Sequence, residues 1–179
     1  MIELSDDFQQ RAKDIKCVIF DVDGVLTDGK LFFDLNGQEY KSFHAQDGQG
    51  LKLLQENGVE VAVISGRSSL IVETRMKNLG ITHVYQGQEN KLVAFNDLLS
   101  KLNITSDCVA HVGDDLPDLA LMHRVHLAIA VQDANPSILS FCHGQTARCG
   151  GQGAAREVCD AILDAQNKLT NAVQTFIDG

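Results

Sequence analysis

The run Lys16-Cys17-Val18-Ile19-Phe20-Asp21-Val22-Asp23-Gly24-Val25-Leu26-Thr27 constrains the fold more than any other part of the chain. Its apolar start contains β-branched residues and no alternation, which predicts a parallel strand at about 16–21, buried on both faces. Side chains two apart on an extended chain share a side, so the carboxylates of Asp21 and Asp23 point into one space, ~6–7 Å apart. Gly24 then lets the chain turn. In open α/β sheets, ligands sit in the crevice beyond the carboxyl ends of the strands, where this acidic pair falls. Two like charges so close call for a cation or a raised carboxylate pKa, and the competing account is a turn with solvated, capping acids.

Composition narrows the partners. The 179 residues are 44% hydrophobic and 22% charged, which fits one globular domain over 1–179 with a sizeable core. A net charge of -9 argues against nucleic acid or a membrane surface as the main partner, so an anionic ligand needs local cations. No apolar run approaches the ~20 residues of a membrane span, and the polar start Met1 to Asp7 lacks signal-peptide blocks, which predicts a cytoplasmic chain. Cys17, Cys108, Cys142, Cys149 and Cys159 are odd in number and lack CxxC spacing, so reduced thiols are expected.

Along the chain, Leu4, Phe8, Ala12 and Ile15 recur at helical steps and predict a short helix before the first strand. Lys30 to Asp34 and Gln38 to Phe43 flank Leu35-Asn36-Gly37, a hairpin signal, and the aromatic residues make a flap over the crevice. Two strands alone are marginal, so such a flap needs support, with a neighbouring subunit one source and membership of the main sheet the alternative. A helix from Asp47 to Asn57 with Leu51, Leu53 and Leu54 inward leads to the strand Val59 to Ile64, closed by Ser65-Gly66-Arg67. A hydroxyl before a helix start suits an anion, and equally an N-cap.

Strand and helix continue to alternate: a helix over 68–79, a strand over 82–85, a helix opened by Lys91, and strands over 108–113 and 126–131. That order predicts an α/β, doubly wound parallel sheet. The fourth strand delivers Asp114-Asp115-Leu116-Pro117-Asp118, more acid than capping a helix requires. If both acidic strand ends meet, their oxygens suit a hard cation such as Mg²⁺. Gly150-Gly151-Gln152-Gly153 lacks a nucleotide fingerprint and reads as an anion cradle or a connector, while Leu169, Val173, Phe176 and Ile177 give the tail a helical apolar stripe. Cys142, His143 and Cys149 lack zinc spacing, and His83, His111, His123 and His126 read as structural or surface residues.

Taken in order, Asp21-x-Asp23-Gly-x-x-Thr27, Ser65-Gly, Lys91 and Gly113-Asp114-Asp115-x-x-Asp118 resemble the four motifs of the haloacid dehalogenase superfamily. His44-Ala45-Gln46-Asp47-Gly48, the hairpin, the glycine-rich segment and the lack of a large insert extend the resemblance to its capless sugar-acid phosphatases. The resemblance implies a Rossmann-like core without a separate cap domain, a flap at about 30–43 and a C-terminal tail at about 168–179. It also implies Mg²⁺, an anionic sugar phosphate as substrate, a homotetramer whose sites a neighbour completes, and a role in lipopolysaccharide precursor synthesis.

Carried over position by position, Asp21 is the nucleophile, Asp23 the acid and base, and Ser65 and Lys91 hold the phosphate. Asp21, the Asp23 carbonyl and Asp114 bind the metal, with Asp115 and Asp118 as orienters or caps. Substrate contacts fall on Asp23, His44, Ala45, Gln46, Asp47, Gly48, Lys52, Arg67, Arg75 and Lys91. Many relatives have asparagine and arginine where this chain has His44 and Gln46, which opens the choice of sugar. A phosphoacceptor receiver is the alternative on the same fold, and its order of acidic strand and lysine differs.

Overall fold

A computed structural model describes residues 3–4 and 7–178. Met1, Ile2, Ser5 and Asp6 in the polar start lie outside the described residues. Strands β2 (Cys17–Phe20), β5 (Glu60–Ile64), β6 (His83–Tyr85), β7 (Val109–Gly113), β8 (Leu127–Ala130) and β9 (Gly144–Gln145) run parallel in the order β9-β8-β7-β2-β5-β6. An antiparallel strand, β1 (Glu3–Leu4), covers the β9 edge. Leu4 was expected in a helix. The helix α1 (Phe8–Ala12) begins later, because the backbone of Glu3–Leu4 pairs with β9, a long-range contact that local periodicity does not register.

The connections are α2 (Ala45–Glu56), α3 (Leu70–Asn78), α4 (Lys91–Leu102) and α5 (Leu119–Met122), with α6 (Ala154–Ala165) and α7 (Leu169–Asp178) closing the chain. Helices α1 and α2 pack on α6, and α4 packs on α5, so the right-handed crossovers clothe both faces of the sheet. This is the doubly wound arrangement expected, and burial explains the uninterrupted apolar strands: every residue of β2 and β8 is fully enclosed. Strand order reverses between β2 and β7. The crevice beyond their carboxyl ends is the ligand position of such sheets.

The hairpin forms from β3 (Phe32–Phe33) and β4 (Glu39–Tyr40), in a sheet of its own rather than at the edge of the main one. Asp34 Oδ1 accepts from the N–H groups of Asn36 (2.9 Å) and Gln38 (2.8 Å), which together with Gly37 at φ 78° fixes the turn. Its strands are shorter than the sequence pattern implied. Leu31, Phe32, Phe33, Leu35 and Tyr40 are all exposed, so the hairpin has little apolar support from its own chain. In α7 Ala172 is buried while Val173, Phe176 and Ile177 remain exposed.

Candidate active site

Strand β2 ends at Phe20, one residue before the first acid. The chain then bends, and Val22 O accepts from the N–H groups of Leu26 (2.9 Å) and Thr27 (3.0 Å). The two-residue alternation that would aim Asp21 and Asp23 together therefore lapses, and the two carboxylates take different partners. Asp21 Oδ1 lies 2.9 Å from Lys91 Nζ. This ion pair with the ammonium is the contact the buried oxygen makes among the described residues. Asp23 instead pairs with Lys41, a side chain only 1% exposed at the end of the flap, and with Arg67 Nε at 3.5 Å.

Strand β7 ends in Gly113, and the following turn folds Asp118 back beneath the crevice, so close that a Cβ on Gly113 would lie 2.4 Å from its carboxyl carbon. Asp118 Oδ1 accepts from Lys91 Nζ (2.7 Å) and receives His111 Nε2 at 2.9 Å. Its Oδ2 accepts from the backbone N–H of Asp114 (2.9 Å) and Asp115 (3.3 Å). Four donors saturate one carboxylate, which identifies Asp118 as a holder of Lys91 and the acidic turn. Lys91 reaches this position because it is the first residue of α4. Asn90 caps that helix by accepting from Leu92 N at 3.1 Å, and its first turn opens onto the strand ends.

Carboxylate oxygens of Asp21, Asp114 and Asp118 all lie within 4.8 Å of one another. Burial first, then the Asp118 charge, raises the pKa of Asp21, with Lys91 opposing. Burial and the charges of Asp118, Asp21 and Asp115 push Asp114 up to about 7. Burial also works against the Asp118 charge, but His111 and Lys91 outweigh it and hold this carboxyl well below the usual range. Lys91, desolvated yet flanked by Asp21 and Asp118, binds its proton more firmly than usual. The cluster is thus short of positive charge. An all-oxygen donor set, a buried Asp21 oxygen with only the Lys91 ion pair among the described residues, and an Asp114 carboxylate pressed on Gly24, where a Cβ would meet Oδ2 at 2.1 Å, fit a hard divalent cation.

Ser65 closes β5 next to β2 and is buried, and its Oγ accepts from Arg67 N at 3.3 Å. Arg67 precedes α3 instead of sharing a helix with Arg75, so their eight-residue spacing does not put them on one face. Arg67 Nη2 donates to Glu39 Oε1 of the flap at 2.8 Å. Arg75 lies over the Phe43 ring, 5.9 Å from its centroid, in space left by Gly48, where a Cβ would stand 2.3 Å from a guanidinium nitrogen.

His44 precedes α2 with its Nδ1 buried and without a hydrogen-bond partner among the described residues, and Ala45 opens the helix exposed. Lys52 is exposed one turn beyond Gly48, and no hydrogen bond or ion pair among the described residues ties it to the acids. Asp47 lines a small cavity with His44, Gly48 and Arg75, and its buried carboxylate also caps α6, accepting from the backbone N–H of Arg156 (2.8 Å) and Gly153 (3.3 Å).

Three participants escaped the sequence reading. Lys41 gives no signal beyond a lysine in a polar strand, and His111 reads, with the other histidines, as a structural or surface residue. Arg148, on the glycine-rich segment, donates to Gln46 Oε1 at 3.0 Å and brings a guanidinium to the loop whose own residue 46 is uncharged. The segment is a brace, since Gly150 sits so near the acidic turn after β2 that a Cβ would lie 1.7 Å from Gly24 O, and Gly151 N donates to Val25 O at 2.9 Å. An anion cradle was not needed to explain its glycines.

Residues 80–157 match the haloacid dehalogenase-like hydrolase family. The chain is 48% identical over 169 residues to the 3-deoxy-D-manno-octulosonate 8-phosphate phosphatase of Escherichia coli, covering 94% of this chain and 90% of that one. The enzyme of the same description from Yersinia pestis superposes with a TM-score of 0.91 at 47% identity, covering 92% of this chain and 89% of that one. The Moraxella catarrhalis phosphatase, solved in complex with a magnesium ion, a phosphate ion and a KDO molecule, superposes with a TM-score of 0.92 at 42% identity over 95% and 98% of the two chains.

Proposed function

From the premise that this chain belongs to the 3-deoxy-D-manno-octulosonate 8-phosphate phosphatase family of haloacid dehalogenase-like hydrolases, we propose how its residues perform the reaction. The protein is a Mg²⁺-dependent phosphoric monoester hydrolase that releases phosphate and the free sugar acid from 3-deoxy-D-manno-octulosonate 8-phosphate. The observation that carries the residue assignment is the convergence of Asp21, Lys91, Asp114 and Asp118 at the sheet's switch point.

In this reading Asp21 attacks phosphorus in line, and the P–O bond to the sugar breaks as an aspartyl phosphate forms. Asp23 supplies a proton to the leaving sugar oxygen, then takes one from the water that attacks phosphorus and returns Asp21 to a free carboxylate. Lys91 and the Ser65 hydroxyl hold the phosphate oxygens, and Asp118 fixes the ammonium so that little reorganisation is needed as charge shifts. Asp21, Asp114 and the backbone carbonyl of Asp23 would hold Mg²⁺, which neutralises phosphate charge and keeps Asp21 ionised. Asp115 serves the turn: Asn135 Nδ2 donates to its Oδ1 at 2.8 Å.

Arg67, Arg75, His44, Gln46 and Lys52 form the cationic and polar side of the crevice for the sugar acid. Asp47 and Gly48 shape it, one through α6 and the other by admitting Arg75. The flap's exposed aromatics support a homotetramer in which a neighbour packs on the hairpin and completes the site, since the described residues form no separate cap to exclude water. Among the described residues no helix is long and apolar enough to cross a membrane, and a cytoplasmic role in lipopolysaccharide precursor synthesis belongs to the same reading. A phosphate-release screen over sugar phosphates, with and without Mg²⁺, tests it. The expected result is fastest release from 3-deoxy-D-manno-octulosonate 8-phosphate and loss of release on chelation. Equal rates for unrelated sugar phosphates would remove the substrate assignment.

A further inference from the structure

His111 lies on β7, the strand that bears the second acidic turn, and is completely buried, as are Val109, Ala110 and Val112 of the same strand. An imidazole there is costly: its Nδ1 has no hydrogen-bond partner among the described residues. A residue serving packing alone would be apolar, as the others on this strand are. Among the described residues, the polar contact that offsets the cost is Nε2 to Asp118 Oδ1 at 2.9 Å, and the same oxygen accepts from Lys91 Nζ at 2.7 Å.

We propose that His111 is a positioning residue for the phosphatase reaction, donating Nε2–H to Asp118 so that Asp118 presents its oxygens to Lys91 and to the backbone of the metal-bearing turn. This rests on the assignment of Lys91 and Asp21 above and adds a group those motifs do not contain. An ionised Asp118 only accepts, so the ring must carry its proton on Nε2. With that donor removed, Oδ1 loses one of its two restraints, and the carboxylate can rotate away from Lys91 and from the N–H of Asp114. The ammonium then shifts relative to the phosphate and to Asp21, with which it pairs at 2.9 Å.

His111→Leu removes the donor and keeps an apolar core, whereas His111→Gln can restore an N–H at about the reach of Nε2. With Mg²⁺ and substrate, the Leu variant is expected to lose about tenfold in kcat/KM and to bind inorganic phosphate more weakly, and the Gln variant to recover most of both. A folded Leu variant with wild-type kcat, KM and phosphate affinity would overturn the proposal. So would a Gln variant as impaired as Leu at an unchanged melting temperature. Should Leu fail to fold, nitrogen NMR of the wild-type protein decides: a proton on Nε2 supports the role, and a bare Nε2 ends it. Wild-type protein that releases no phosphate from any sugar phosphate would sink the underlying assignment, an outcome distinct from equal rates in wild type and variant.

Discussion

The floor of the crevice and the flap above it are built on opposite terms. On the floor, Asp21, Lys91, Asp118 and His111 are buried at the ends of the central strands, and Asp118 uses all of its accepting capacity. The flap is two two-residue strands with exposed aromatics, attached to the floor through Lys41 and Arg67 on Asp23 and Glu39. Burial opposes the Glu39 charge, yet hydrogen bonds from its neighbours, including Arg67 and Lys41, keep its carboxyl below the ordinary range. The difference teaches a division of labour. The buried groups sit where backbone hydrogen bonds and packing are dense, whereas the hairpin is a small separate sheet with its aromatic side chains in the open.

The sharpest division is expected from Asp21→Asn. The amide keeps shape but is no nucleophile, so phosphate release should fall by at least about a thousandfold, with the circular dichroism spectrum and the mass by light scattering unchanged. Retained turnover would break the assignment of the floor. A flap variant, Phe32→Ser with Phe33→Ser, should do the reverse: lower the mass by light scattering and reduce kcat/KM by about tenfold or more, while the sheet still unfolds at its original temperature. An active monomer at assay concentration would show that the flap needs no neighbour.

Arg67→Ala sharpens the comparison at the junction. Arg67 touches both Asp23 and the flap, so KM is expected to rise several-fold more than kcat falls, on the order of 1 kcal/mol of lost ground-state binding. An effect confined to kcat would move Arg67 to the floor. The smallest effect is thermal. Without a cation, burial and the neighbouring carboxylates push the Asp114 carboxyl up to about 7 from its ordinary value near 3.8, so the folded state holds the proton more tightly than the unfolded chain. Its contribution to stability therefore declines as pH rises from about 4 to about 7. Mg²⁺ takes the proton's place, and the rise in melting temperature on adding it should grow across that window. A Mg²⁺ effect independent of pH would show that Asp114 is not part of the cation site.

Much of this was legible before any coordinates. Unbroken apolar runs reported the buried parallel strands, their alternation with helices gave the winding, and acids immediately after two such runs marked the strand ends. What escaped has a common cause. The β1–β9 pair is two residues long on each strand, too short for any periodicity. The resemblance places Asp47 with the substrate contacts, and only the structure shows that its carboxylate also caps α6, more than a hundred residues away. Arg67 and Arg75 were related by helical spacing, and α3 starts only at Leu70.

The sequence by itself determined which elements form, because burial and backbone preference act over a few residues and repeat with a period that can be read. It also determined the chemical types available: carboxylates, an ammonium and a hydroxyl at strand ends. Only the tertiary structure decided the pairings, Asp21 with Lys91, Asp23 with Lys41, Asp118 with His111. A charge or hydrogen bond acts over a few ångströms of space whatever the distance along the chain, so its partner is set by how the sheet is assembled and not by what stands next in the sequence.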